Sequence, residues 1–99
     1  MIKLTEKSTN FTSFHDSTIR TTVNKLIDTI GHPQCFDNTG DDKVNFEWDC
    51  ETEEGDVFTI YDWKEYRPLG YDELIDFHIG GFNKIVTEKA KRELLDLLR

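Results

Sequence analysis

Between Val44 and Ile79 the chain repeatedly alternates apolar and polar residues, and that period of two leaves few folds open to it. Val44, Phe46, Trp48 and Cys50 alternate with Asn45, Glu47 and Asp49. Successive side chains of a strand point to opposite faces, so this run predicts a half-buried strand with one face towards a core. The acidic stretch Glu53-Glu54-Gly55-Asp56 follows, a hairpin turn in which glycine tolerates the positive φ such turns need. Val57 to Trp63 is apolar and aromatic and should return antiparallel to the first strand. After a loop holding Pro68 and Gly70, a third strand is expected from Leu74 to Ile79, with Ile75, Phe77 and Ile79 on one face and Asp76 and His78 on the other.

Helical spacing flanks these runs. Ile19, Val23, Leu26, Ile27 and Ile30 share one helical face, which predicts a helix over residues 17–30. Asp16 or Ser17 would cap it, Phe14 would staple its entry, and Gly31 with Pro33 would stop it. Val86, Ala90, Leu94, Leu97 and Leu98 form the apolar stripe of a last helix that starts between Asn83 and Thr87. The order is helix, three-stranded antiparallel β-meander, helix. That predicts an α+β fold with both helices packed on one sheet face. Ninety-nine residues suit a single domain spanning 1–99. Residues 1–14 are either an edge strand, as the alternation of Ile2 and Leu4 with Lys3 and Thr5 allows, or a flexible arm.

The formal net charge of −8 argues against direct nucleic-acid binding and against an anionic membrane surface. It leaves room for a basic protein partner, or for a small ligand in a locally positive pocket. Residues 37–56 hold nine acidic residues against Lys43 alone, either a solvated loop and hairpin or a carboxylate array facing a basic protein groove. No apolar run approaches membrane-spanning length, and the Met1 region lacks a secretory segment, which predicts a cytoplasmic protein. Cys35 and Cys50 are then free thiols. His32 and Cys35 form only one loose ligand pair, so neither a metal nor another cofactor is expected.

The candidate binding residues are Tyr61, Trp63, Lys64, His78, Gly80, Gly81 and Lys84. Gly80-Gly81 reads as a tight turn between the third strand and the last helix. There the first-turn amides, with Lys84, would meet an anion such as phosphate. Tyr61 or Trp63 would stack on a base, and Lys64 and His78 would donate hydrogen bonds. Glycine's suitability for a tight turn explains the same pair without a ligand. For catalysis the sequence offers only Asp62 beside His78 across neighbouring strands, with no nucleophile elbow, metalloprotease helix or kinase motif. An enzyme is not expected.

Several short stretches carry a resemblance: Ser13-Phe14, Gly31-His32-Pro33, Trp48, Glu54-Gly55, Ile60-Tyr61-Asp62-Trp63-Lys64 and His78-Ile79-Gly80-Gly81. Over residues 13–98 the chain resembles a family of small bacteriophage proteins. It departs from that pattern after Ser-Phe, where His15-Asp16 stands in place of Gln-Gly. The resemblance implies a non-enzymatic phage accessory protein in the host cytoplasm, acting in counter-defence or host takeover by blocking a host enzyme or capturing a defence signal; with the candidate residues, the expected action is sequestering a small anionic, cyclic nucleotide-like signal. The alternative it leaves open is an acidic inhibitor of a host nucleic-acid-binding or defence protein. A domain this small rarely encloses a ligand alone, so a homo-oligomer with the pocket between subunits or at the sheet edge is expected.

Overall fold

Threonines and β-branched residues between Thr18 and Val23 decide where the chain stops being a strand and becomes a helix. In the computed structural model, which describes residues 2–98, strand β1 is Lys3–Leu4 and β2 is Ser13–Thr21, followed by helix α1 at Val23–Thr29. Strands β3 (Cys35–Phe36), β4 (Phe46–Glu51), β5 (Val57–Tyr61) and β6 (Ile75–Gly81) follow, then helix α2 at Lys84–Leu97. They form a six-stranded sheet in the order β1-β4-β5-β6-β2, with β3 also paired to β4; every pairing is antiparallel.

This corrects the expected helix–meander–helix chain with both helices on a three-stranded sheet. The meander β4-β5-β6 exists, but it is only the middle of the sheet. Residues 17–21, expected as helix, are the second half of β2. Ile19 is buried, and a single apolar residue fits a strand as well as a helix. Thr18, Ile19, Thr21 and Thr22 favour the extended form because branching at Cβ restricts their side chains in a helix. The helix is capped by Thr22, whose hydroxyl accepts the Lys25 amide at 3.0 Å, and not by Asp16 or Ser17. It ends before Gly31, whose φ of 126° suits glycine.

Pairing parity sorts the sheet into two faces. Phe46, Trp48, Cys50, Phe58, Ile60, Ile75, Phe77, Ile79 and Ile19 share the inner face, where they are buried with Val23 and Leu26 of α1 and Ala90 and Leu94 of α2. Trp48 lies at the centre, edge-on to Phe77 with ring centroids 5.9 Å apart. Its indole N–H donates to the Gly31 carbonyl at 2.8 Å, so the polar end of this buried ring also holds the exit of α1. Gly81, within β6, faces this side too. A Cβ there would come within 2.9 Å of the Thr87 Cγ2, so glycine lets α2 approach the sheet.

The start of β4 and the loop after β5 are joined by one fully buried carboxylate. Asp62 accepts the amide of Phe46 at 2.8 Å and that of Asn45 at 2.9 and 3.1 Å. Burial pushes the Asp62 carboxyl above the usual range, while those amides pull the other way. Asn45 carries the join outward, accepting the Gly40 amide at 3.1 Å and donating to the Arg67 carbonyl at 2.9 Å. Asn38 pairs with both backbone groups of Leu69, at 2.7 and 2.9 Å. Two loops of mostly polar residues thus close on each other through side-chain bonds to backbone.

Asp62→Ala leaves two buried amides without an acceptor. At about 1–3 kcal/mol for each unmade bond, the variant should lose roughly 3 kcal/mol of stability, read as a lower urea midpoint with an unchanged slope. Asp41→Ala, in the exposed part of the same loop, should leave the midpoint in place.

Candidate functional site

A sheet with its core on one side owes the other side to water, and here that side carries rings. Two cross-strand rows cover its centre. Glu47, Tyr61, His78 and Thr18 stand opposite one another on β4, β5, β6 and β2, and beside them lie Asp49, Thr59, Gly80 and Phe14. The Phe14 and His78 rings stack at 4.1 Å, and Tyr61 lies 5.5 Å from His78. Trp63, just beyond the end of β5, is edge-on to Tyr61 at 6.0 Å and 6.2 Å from His78. Trp63 and Phe14 remain 40 % and 38 % exposed, so the cluster is a platform and not a second core.

A register shift in β2 puts Phe14 there. Residues 15–17 stand opposite Ile79 alone, because Phe14 pairs with Gly80 and Thr18 with His78. Asp16 takes a φ of 66° at this bulge. Phe14 therefore stacks on His78, where the sequence suggested a staple for the first helix.

Gly80 lies at a hollow in the platform, where its missing Cβ makes room for the Thr59 hydroxyl. A Cβ there would stand 2.6 Å from Thr59 Oγ1 and 3.5 Å from Tyr61 Cε1. Over it lies a solvent-facing cleft of about 240 Å³. Thr59 and Gly80 form its floor, Glu47, Val44, Tyr61 and Trp63 one side, and the arm of Thr9, Thr12 and Ser13 the other. Two ammonium groups stand at the rim, Lys43 Nζ at 5.9 Å and Lys64 Nζ at 5.5 Å from the Trp63 ring centroid, within cation–π range. The Lys64 amide donates to the Lys43 carbonyl at 2.8 Å, which holds the two lysines together. Lys64 (φ 55°) and Phe11 (φ 69°), each next in the chain to a lining residue, adopt left-handed backbone that costs a residue with a side chain on the order of 1 kcal/mol or more.

Protonation on this face is set by partial burial. His78 is held below its usual pKa by burial, against the pull of Asp76, so the stacked imidazole is neutral at neutral pH. Glu47 is pushed up to about 7, first by burial, then by a hydrogen bond with Asp49 and by that neighbour's charge. Tyr61 is raised by burial and by the charge of Glu47. Asp49 Oδ1 is buried and has no hydrogen-bond partner.

Of the sequence-derived site residues, Tyr61, Trp63, Lys64, His78 and Gly80 come together on the outer face. Gly81 and Lys84 do not. Gly80-Gly81 is not a turn but the end of β6, and alternation sends Gly80 outward and Gly81 under α2. Lys84 opens α2 and lines a separate groove with Asp16, Lys91 and Arg92. The helix N-terminus is already capped, since Asn83 Oδ1 accepts the Val86 amide at 2.9 Å. Asp62 and His78 do not form an acid–base pair either, because Tyr61 is the residue opposite His78 and Asp62 is buried on its own amides. Sequence reasoning missed Glu47, Phe14, Lys43 and Thr59 as site residues. The parity of Glu47 with Trp48 does place it outward, whereas Phe14 depends on a bulge that leaves no plain pattern.

Among the described residues, no group of three or more His, Cys, Asp or Glu side chains is placed to hold a metal ion, and no helix is long and apolar enough to cross a membrane. Comparison with protein-family models, curated proteins and solved structures gave no match.

Two outcomes are expected. Gly80→Ala should drive a Cβ against Thr59 Oγ1 and cost about 1–3 kcal/mol through overpacking, and adding Thr59→Ala should recover most of that in a urea titration. The raised pKa of Glu47 means that the folded state binds its proton more tightly than the unfolded chain. That stabilisation is complete below about 4.5 and is lost as pH rises through about 7. Thermal midpoints from pH 4.5 to 8 should fall over that window in the parent chain, and Glu47→Gln should flatten the fall.

Proposed function

We propose that the outer sheet face binds a small anion carrying a flat heteroaromatic ring, of the cyclic-nucleotide kind, and that the protein acts by holding this ligand rather than by transforming it. The observation that carries the proposal is the cluster of Phe14, His78, Tyr61 and Trp63 around the hollow at Gly80, on the face turned away from the core. Stacking of a base on an aromatic side chain contributes about 1–3 kcal/mol and needs no particular base edge. The cleft, at about 240 Å³, is smaller than the roughly 300–1,000 Å³ typical of small-molecule pockets. It suits one ring system, with sugar and phosphate lying outside it towards Lys43 and Lys64. Those two ammonium groups supply local positive charge in a chain whose net charge is −8.

The biological setting proposed is counter-defence by a phage-type accessory protein in the host cytoplasm, sequestering a nucleotide signal. The resemblance to small bacteriophage proteins supports it, as does a face built of stacking groups. Because the cleft is shallow, tight retention calls for a second copy to cover the bound ligand, and a homo-oligomer belongs to the proposal. An acidic inhibitor of a basic host surface has less support. Glu51 is engaged by Thr5, Lys3 and Lys7, and Glu54 and Asp56 by Lys89 at 2.7 and 3.4 Å, so three of the nine acidic residues of the segment already neutralise cations of its own chain.

Titration calorimetry against a panel of cyclic mono- and oligonucleotides tests the proposal directly. Binding with quenched Trp63 fluorescence is expected, and Trp63→Ala should weaken it by about 1–3 kcal/mol, roughly fivefold to a hundredfold. No heat with any member at high micromolar concentration would sink it.

A further inference from the structure

The cleft has one carboxyl group in its lining, and its position speaks to which ring edge can enter. Glu47 stands directly opposite Tyr61 across β4 and β5, on the outer face, next to the floor made by Thr59 and Gly80. The other polar side-chain groups of the lining are the Trp63 indole N–H, a donor only, and the hydroxyls of Thr9, Thr12, Ser13, Thr59 and Tyr61, each able to donate or accept. The hydroxyls adapt to whatever edge arrives. An ionised carboxylate does not adapt, because its two oxygens only accept.

We propose that Glu47 makes this cleft selective for a guanine-type edge, in which a ring N–H and an adjacent amino group point the same way and can be accepted together by the two carboxylate oxygens. The inference rests on the outer face being a base-binding platform, as proposed above. Adenine and cytosine present one amino donor beside a ring-nitrogen acceptor, and uracil one N–H between two carbonyls. Each would set an acceptor against an oxygen of the ionised carboxylate, whereas the protonated carboxyl, which donates as well as accepts, also fits an adenine-type edge. A second observation points the same way. Asp49, hydrogen-bonded to Glu47, buries Oδ1 without any partner, so this corner of the face has more acceptors than donors. A ligand edge that only donates supplies what is lacking.

The groups facing Glu47 are Cys35 on β3, Asp49 on its own strand and Tyr61 on β5, with Lys43 and Lys64 at the rim beside Trp63. Without ligand, Glu47 keeps its proton up to about pH 7, held by burial and by Asp49. Two N–H donors favour the ionised form. Docking of a guanine-type edge therefore expels that proton to the buffer, and docking of an adenine-type edge does not.

The experiment is calorimetry of cyclic GMP and cyclic AMP against the full chain at pH 6 and pH 8, each in two buffers of different protonation enthalpy. At pH 8, where Glu47 is ionised, cyclic GMP should bind at least about tenfold tighter than cyclic AMP, the lower part of the range for a bidentate pair, and the gap should narrow at pH 6. Cyclic GMP binding should release close to one proton at pH 6 and little at pH 8. Glu47→Gln, its fold checked by circular dichroism, should abolish both the preference and the proton release while keeping the stacking affinity. Equal affinities or a preference for cyclic AMP at pH 8, or no proton release on cyclic GMP binding to the parent chain at pH 6, would overturn the role of Glu47 and leave the platform standing. Failure of every nucleotide to bind would overturn both. The parent-chain measurements decide the matter even if the variant does not fold.

Discussion

One buried carboxylate sets the geometry on which the rest depends. Asp62 sits between Tyr61 and Trp63, and its oxygens grip the amides that begin β4. A charge so far from water persists only when its acceptor capacity is used, and here backbone N–H groups use it. The bonds fix three things together: where β4 starts, where β5 ends, and how the loops at 37–45 and 62–70 lie against each other. Lys43 and Lys64 belong to those loops, and Trp63 follows Asp62 directly. The rim of the candidate site is therefore held by the same atoms that hold the fold. Polar chemistry does here what apolar packing does elsewhere in the sheet.

The two faces of that sheet meet different constraints. The inner face is filled by Phe46, Trp48, Phe58, Ile60, Phe77 and Ile79 against both helices, and its stability comes from apolar area removed from water. The outer face has no covering layer, and acidic, aromatic and hydroxyl groups are mixed there within a few ångströms. Half-burial among neighbours explains the raised Glu47 and the depressed His78, two groups of opposite kind both shifted towards neutrality. A face whose ionisable groups tend to the uncharged form accepts a flat ring more readily than the net charge of −8 suggests.

Much of this was legible in the chain. Alternation located β4, β5 and β6 and assigned Ile75, Phe77 and Ile79 to the core, because a period of two is imposed by backbone geometry alone. The last helix and the stop at Gly31 were equally plain. Two things were not. A strand at 13–21 was hidden by apolar spacing that satisfies a helix through Ile19 and Ile30, and only pairing with β6 decides between them. Gly80-Gly81 looked like a turn because glycine commonly makes turns, whereas its use here is the space a missing Cβ leaves, on one face for the Thr59 hydroxyl and on the other for α2. Contacts between strands carry that information, and no local pattern contains it. The site was accordingly half visible: its rings and Lys64 stood out, but its carboxyl group and its hollow did not.

The outer edge of β4 shows how the sheet ends. Strands β1 and β3 each cover part of that edge, and between them the Gln34 side-chain amide accepts the Asp49 N–H at 2.9 Å and donates to the Asp49 carbonyl at 2.8 Å, as a neighbouring strand would. On the far side β2 is broken by its bulge at Asp16. Neither margin offers a long, regular row of unpaired backbone groups. A sheet whose outer face displays rings to water runs the risk of fibrous self-assembly, and these two irregular margins deny an incoming chain the template it would need.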